Sequence, residues 1–293
     1  MDEFSVILKA RKFIKDAAID AVPVDLARYA ERAGAKIEIR FDLDDDESGQ
    51  TFMLGKQHVI LVNGNHQEER QRFTVLYEIG HIILELPSQH GGDKLTTSAL
   101  TSYKRRPHEE MLCDVFAAEC LLPYDFFKKD VDDTDPSFDA VRKLAARYKA
   151  SVTSTGSRYA AHSNEPCAFV LMEGGVVRYA TCSKPLREMG GWIEFGRPPP
   201  KNSVASRAAS DPNSTDAYDE VRTDIWFNKP LKNYELLCEE AIPTREWDQC
   251  LSLIWLDESL KRTDAERGDV DDEEPLLREL DGILPWPSKS RRR

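Results

Sequence analysis

Between Arg70 and Leu86 the apolar residues Phe73, Leu76, Ile79 and Ile83 recur at a period of about 3.6, which commits this stretch to an amphipathic helix. Its apolar stripe has to be buried against another element. A second helix is written over Glu109–Leu122, with Pro107 ahead of it and Pro123 closing it. On the first helix Glu78 and His81 stand three residues apart and share a face. On the second, Glu110, Cys113 and Asp114 stand at i, i+3 and i+4 and share another. Imidazole, carboxylate and thiolate are all zinc-ligating groups.

In the metalloprotease pattern HExxH, two histidines four apart bind zinc and the intervening Glu takes a proton from the zinc-bound water. Here the segment reads Tyr77-Glu78-Ile79-Gly80-His81, with a phenol in place of the first imidazole. A bare ExxH is a weak signal, and the second helix with its three metal-competent groups strengthens it. For Cys113 taken alone, an inert core cysteine is the simpler reading, because buried thiols are common.

The rest of the first half reads as a small α+β unit. Residues 4–34 show helical spacing, with Pro23 leading a second helix that ends at Gly34. Ala35–Phe41 alternates as a half-buried strand, and the acidic run Asp42–Glu47 reads as a solvated loop. Ser48–Leu54 and His58–Asn63 flank Gly55 and predict a small antiparallel sheet. Residues 87–107 read as a mobile loop, and Ser137–Lys149 as a further helix.

Several segments, taken in order, resemble the ImmA/IrrE family of HExxH metallopeptidases. They are Pro23-Val24-Asp25-Leu26, Ser48-Gly49, Val62-Asn63, and Arg70-Gln71-Arg72-Phe73-Thr74 running into Glu78-Ile79-Gly80-His81. Glu110-x-x-Cys113-Asp114-x-Phe116-Ala117-Ala118-Glu119, ending at Pro123, completes the set. The resemblance covers residues 1–160. It implies a zincin-like domain with helices around a small sheet, Zn2+ as cofactor, Glu78 as general base, His81 as a zinc ligand and Glu110 as the third protein ligand. Tyr77 is the departure. Its phenol ordinarily titrates at about 10, so its neutral form is a poor ligand. Three outcomes follow: metal held through His81, Glu110 and Cys113, metal held weakly with Tyr77 as an occasional ligand, or a dead site. In the first, Cys113 would fill the open position that a catalytic zinc needs and act as an inhibitory ligand.

The pattern changes near Asn164. Cys167–Met172 and Val176–Thr181 flank Gly174-Gly175 as a hairpin, Gly190–Ser214 reads as a long loop, and Asp224–Phe227, Tyr234–Ala241 and Cys250–Leu256 as later strands. By the same resemblance this region, 161–262, is compatible with a GAF-like α/β sensor domain, followed by a charged, partly disordered tail over 263–293. Lys184, Arg187, Arg197, Lys201 and Arg207 lie close together in sequence beside Trp192 and Phe195. Cations interleaved with aromatics suit single-stranded nucleic acid, and a solvated loop is the competing reading.

The net charge of −12 argues against a surface that coats nucleic acid, without excluding a local basic groove. The N-terminus lacks a secretory pattern, and no window approaches the roughly 20 apolar residues of a membrane span. A cytoplasmic protein with six reduced cysteines and no membrane partner is expected. The family's role implies a zinc-dependent endopeptidase that cleaves a helix-turn-helix repressor after a DNA-damage-type signal, with single-stranded DNA as a candidate ligand. Within the family the CapP-like peptidases of anti-phage operons fit the arrangement best. The alternative is a catalytically weak module that binds a repressor or nucleic acid without cutting.

Overall fold

The computed structural model describes residues 1–86, the backbone of 95–96, and residues 107–211, 213–227, 231, 233–244 and 248–261. Most of the loop expected over 87–107, and the tail expected over 263–293, lie outside the described residues.

The chain opens with α1 (Glu3–Asp16), capped by the Asp2 carboxylate, which accepts from the Ser5 N–H at 2.8 Å. Val6, Ala10, Phe13 and Ile14 form its buried face. The short α2 (Leu26–Arg32) is capped by Asp25 in the same way. It ends at Gly34, whose φ of 65° lies where only glycine is unstrained.

Three strands follow: β1 (Ala35–Arg40), β2 (Glu47–Leu54) and β3 (Gln57–Asn63). β2 and β3 form the expected antiparallel hairpin, but β1 pairs with β3 in parallel, Ala35 opposite His58. The sheet is therefore mixed rather than antiparallel. A short β4 (Leu95–Thr96) pairs with β2 at Glu47 and Gly49, giving the order β1-β3-β2-β4.

Packed on this sheet is α3 (Glu68–Leu84), and against it α4 (His108–Leu121). Then come α5 (Tyr124–Asp132), α6 (Phe138–Tyr148) and α7 (Val152–His162). Neither α5 nor α7 is evident from sequence spacing.

The second half holds β5 (Cys167–Glu173), β6 (Val176–Cys182), α8 (Lys184–Glu188), α9 (Val204–Ser210), β7 (Ala217–Arg222), α10 (Thr223–Trp226), β8 (Leu236–Thr244) and β9 (Gln249–Trp255). Their order is β6-β5-β9-β8-β7, with every neighbouring pair antiparallel. Two expectations need correcting. The stretch Gly190–Ser214 contains α9, and residues 224–226 belong to a helical turn, α10, rather than a strand, with Phe227 the extended residue that follows it.

Strand β5 explains why its sequence is apolar at every position. Phe169 and Leu171 point into one core, with Phe138, Leu144 and Tyr159. Ala168, Val170 and Met172 point into another, with Val204, Ala208 and Trp226. The sheet is buried on both faces, so the run does not alternate. The division expected at residue 160 falls inside α7, which packs on β5 and β6. Residues Met1–Lys261 form one compact unit. Among the described residues no helix is long and apolar enough to cross a membrane.

Candidate metal centre

The site is built where α3 and α4 meet. Gly80 permits that approach: a Cβ there would stand 3.3 Å from the Phe116 ring and 3.5 Å from both Cα and Cβ of Cys113. Larger side chains would push the helices apart. The N-terminal end of α3 is fastened to the sheet by Arg70, whose guanidinium donates to the Ser48 hydroxyl at 2.9 Å. Asn63, at the end of β3, donates to the carbonyls of Asp44 and Glu47 at 2.9 and 2.8 Å, fixing the entry into β2.

Glu78 is buried at 4% exposure. The low-dielectric surroundings disfavour its charged form and push its pKa up to about 7, while a hydrogen bond from Thr51 pulls the other way. That bond runs from Thr51 Oγ1 to Glu78 Oε2 at 2.7 Å. Thr51 sits in the middle of β2, and sequence reasoning missed it. A threonine in a strand carries no motif, and only the sheet's position against α3 reveals its partner.

One turn further, His81 Nδ1 lies 3.3 Å from the Leu86 carbonyl oxygen. A carbonyl can only accept, so Nδ1 is the donor here, and in that tautomer Nε2 is the nitrogen that can offer a lone pair. Nε2 faces Glu110 Oε2 at 3.7 Å, and both residues are buried. Two donors on one tetrahedral zinc, each about 2.1 Å from it, would stand about 3.4 Å apart. The His81–Glu110 pair therefore fits a shared metal ion.

Tyr77 is 1% exposed, one turn before His81 on the same face. Its ring stands edge-on to the imidazole with centroids 5.0 Å apart, and Phe73 stacks behind it at 6.4 Å. Cys113 is fully buried at the Gly80 crossing. Among the described residues no three His, Cys, Asp or Glu side chains gather around one point, so the structure does not join Cys113 to His81 and Glu110 as a metal set.

The cationic stretch of the second half looks different in three dimensions. Lys184 pairs with Glu188 at 3.6 Å, Arg197 with Glu194 at 2.8 Å and Arg207 with Asp219 at 2.6 Å. Arg187 donates to the Cys182 carbonyl. Lys201 is exposed, as are Trp192 and Phe195 at 62% and 60%. Three of the five cations are thus matched by carboxylates, which lowers the net positive field there.

Known proteins are similar to this chain in sequence and in fold. Residues 30–159 match the family model of the IrrE N-terminal-like domain (Peptidase_M78). The segment runs from α2 to α7 and contains every residue of the candidate centre. The radiation response metalloprotease IrrE of Deinococcus radiodurans is 32% identical over 160 residues, covering 53% of this chain and 44% of that protein. The IrrE of Deinococcus deserti is 35% identical over 108 residues, 36% of each chain. This chain thus spans less than half the length of these curated relatives. Among solved structures, a Mycobacterium tuberculosis transcriptional regulator aligns with a TM-score of 0.56 over 86% of this chain and 76% of its own, at 13% identity, which is a likeness of fold alone. The IrrE-like resemblance read from the sequence is supported over residues 30–159.

Proposed function

We propose that this chain is a zinc-dependent endopeptidase that cuts a helix-turn-helix repressor. The observation that carries the reading is the buried His81–Glu110 pair, 3.7 Å apart, beside a Glu78 whose pKa lies at about 7. His81 and Glu110 would hold the ion. Bound there, a divalent metal supplies Lewis acidity to a scissile carbonyl. Glu78 contributes the proton traffic. Thr51 occupies its Oε2, which leaves Oε1 to accept a proton from the attacking water and later return it to the leaving amine. A carboxyl poised near neutrality suits both halves of that task.

An extended peptide would lie along β2 by strand addition. β4 pairs with Glu47 and Gly49, so among the described residues Gln50–Leu54 is the stretch of that edge open to it, with Phe52, Met53 and Leu54 exposed for its side chains. The second half, in this reading, is a GAF-like sensor answering a DNA-damage-type signal such as single-stranded DNA, in an anti-phage setting. The test combines the zinc-loaded chain with a helix-turn-helix repressor from the same genome, the neighbouring gene's product first if it is one. Cleavage that vanishes in Glu78→Gln supports the reading, and intact repressor with the zinc-loaded native chain refutes it. Tyr77 in the first ligand position favours a second reading, a module that binds the repressor without cutting it.

A further inference from the structure

Strand β1 is an edge of the first sheet, and among the described residues it pairs with β3 alone. The Arg40 carbonyl accepts from the Gly64 N–H at 2.7 Å, on the β3 side. Backbone groups alternate between the two sides of a strand. Lys36, Glu38 and Arg40 are therefore bonded inward, and the N–H and C=O of Ile37 and Ile39 face the open edge. That edge is partly apolar. Ile39 is 55% exposed and Phe41, just past the strand, 70%. The two lie side by side over Gly64, where a Cβ would stand 2.5 Å from the Phe41 ring and 2.7 Å from Ile39.

The charges along this run alternate in sign at every second position: Lys36, Glu38, Arg40, Asp42. An edge guarded by lysines repels a second copy. This one is its own complement when reversed about Ile39. In an antiparallel pairing of two copies centred there, Ile39 meets Ile39, Glu38 meets Arg40, Ile37 meets Phe41 and Lys36 meets Asp42. Ile39, with both backbone groups outward, is also the residue that a hydrogen-bonded antiparallel pair requires. Centring on Glu38 sets Glu38 against Glu38 and Lys36 against Arg40, and centring on Ile37 leaves Phe41 beyond the seam. Within one chain the same charges form exposed pairs, Lys36 with Glu38 at 2.9 Å and Arg40 with Asp42 at 2.6 Å. Such pairs are weak, so their side chains can turn to a neighbouring copy at little cost.

We infer that β1 is a self-association surface, to which a second copy of this chain adds antiparallel with Ile39 on the two-fold axis. The two sheets then run on as one. The seam lies at the opposite edge of the sheet from β2 and β4, so the inference stands apart from the peptidase reading. A seam of so few residues is smaller than a permanent interface, and the dimer is a weak, concentration-dependent one.

The test is sedimentation equilibrium of the full chain at rising concentration. The average mass is expected to climb from the 33.3 kDa of one chain toward twice that value. Arg40→Glu sets like charges opposite each other at both Glu38–Arg40 pairs and should weaken the dimer at least about tenfold, as should Glu38→Lys. Mixing these two variants restores opposite signs at both pairs, so the mixture should regain the native affinity within about threefold. A variant that had merely lost its fold would not be rescued by mixing. Under mild oxidation Ile39→Cys should link two chains, because the paired Cα atoms would stand about 5.5 Å apart, within reach of a disulfide. A chain that keeps the mass of one copy up to sub-millimolar concentration overturns the inference. So does an Arg40→Glu chain that associates like the native one, a mixture that stays as weak as its components, or an Ile39→Cys chain that does not cross-link.

Discussion

Replacing Glu78 with Gln removes a charge that folding drives out of water, and the cost of that charge is readable from the structure. The carboxyl moves from an ordinary 4.5 to about 7 on burial. The gap, at about 1.36 kcal/mol per pK unit, corresponds to about 3 kcal/mol. The direction is opposite to that of a salt-bridged carboxylate. Between the two values the folded chain keeps a proton that the unfolded chain has released, so stability falls as pH rises from 4.5 to about 7 and then levels off. A Gln at 78 can accept the Thr51 hydrogen bond and cannot ionise. Its advantage over Glu should be near zero at pH 4.5 and grow to about 3 kcal/mol above pH 8. Urea unfolding in the presence of a chelator, at both pH values, measures this. At an m-value of about 3 kcal/mol/M the variant's midpoint should lie about 1 M higher at alkaline pH and coincide with the native one at acid pH. An offset that is the same at both pH values would refute the reasoning, because it would place the effect in packing rather than in ionisation.

Other outcomes follow from single contacts. Thr51→Val removes the donor that pulls Glu78 downward, so its carboxyl should titrate above about 7, and an infrared carboxyl titration that stays put or moves down would contradict this. Gly156→Ala would drive a methyl into the Phe169 ring between α7 and β5. Overpacking of about 1–3 kcal/mol against up to about 1 kcal/mol of helix propensity gives a net loss of about 1–2 kcal/mol, and an unchanged melting temperature would show that the ring yields freely.

Of the site's two helices, α3 was legible from its apolar period, and α4 from Pro107 and the acidic Glu109 and Glu110 at its start and Pro123 after its end. β1, β2 and β3 were legible from Ala35–Phe41, Ser48–Leu54 and His58–Asn63, but their pairing was not. Nothing in the local pattern of Ala35–Arg40 says that it lies beside β3 rather than β2. α7 hides because Val152-Thr153-Ser154-Thr155-Gly156 is poor helix sequence, and it forms because the glycine lets Phe169 in and Ser151 caps its start. α9 is a run of small residues stabilised from outside. The buried Glu239 carboxylate accepts from the Val204 and Ala205 N–H groups, each at 2.9 Å. The four residues 224–227 are too few for a period to separate helix from strand. His81, Glu110 and Glu78 were named from the sequence, whereas the partners that orient them, Thr51 and the Leu86 carbonyl, are matters of geometry alone.

Glu119 has a consequence for the centre although it lies outside it. Its carboxylate is gripped by Arg11 of α1 at 2.9 Å and by Arg158 of α7 at 2.5 Å. Along α4 it is nine residues, about 13 Å, beyond Glu110. With Gly80 and Cys113 as the fulcrum, α4 is a lever whose handle is held by two arginines and whose tip carries a metal ligand. Glu110 lies three residues, about 4.5 Å, from that fulcrum, so a tilt of about 5° moves it by about 0.4 Å, and a tilt of about 13° by the 1 Å that in an active site costs about a hundredfold. The tolerance of the centre is therefore set partly at the far end of the helix, where damage to α1 or α7 would be felt as a misplaced Glu110.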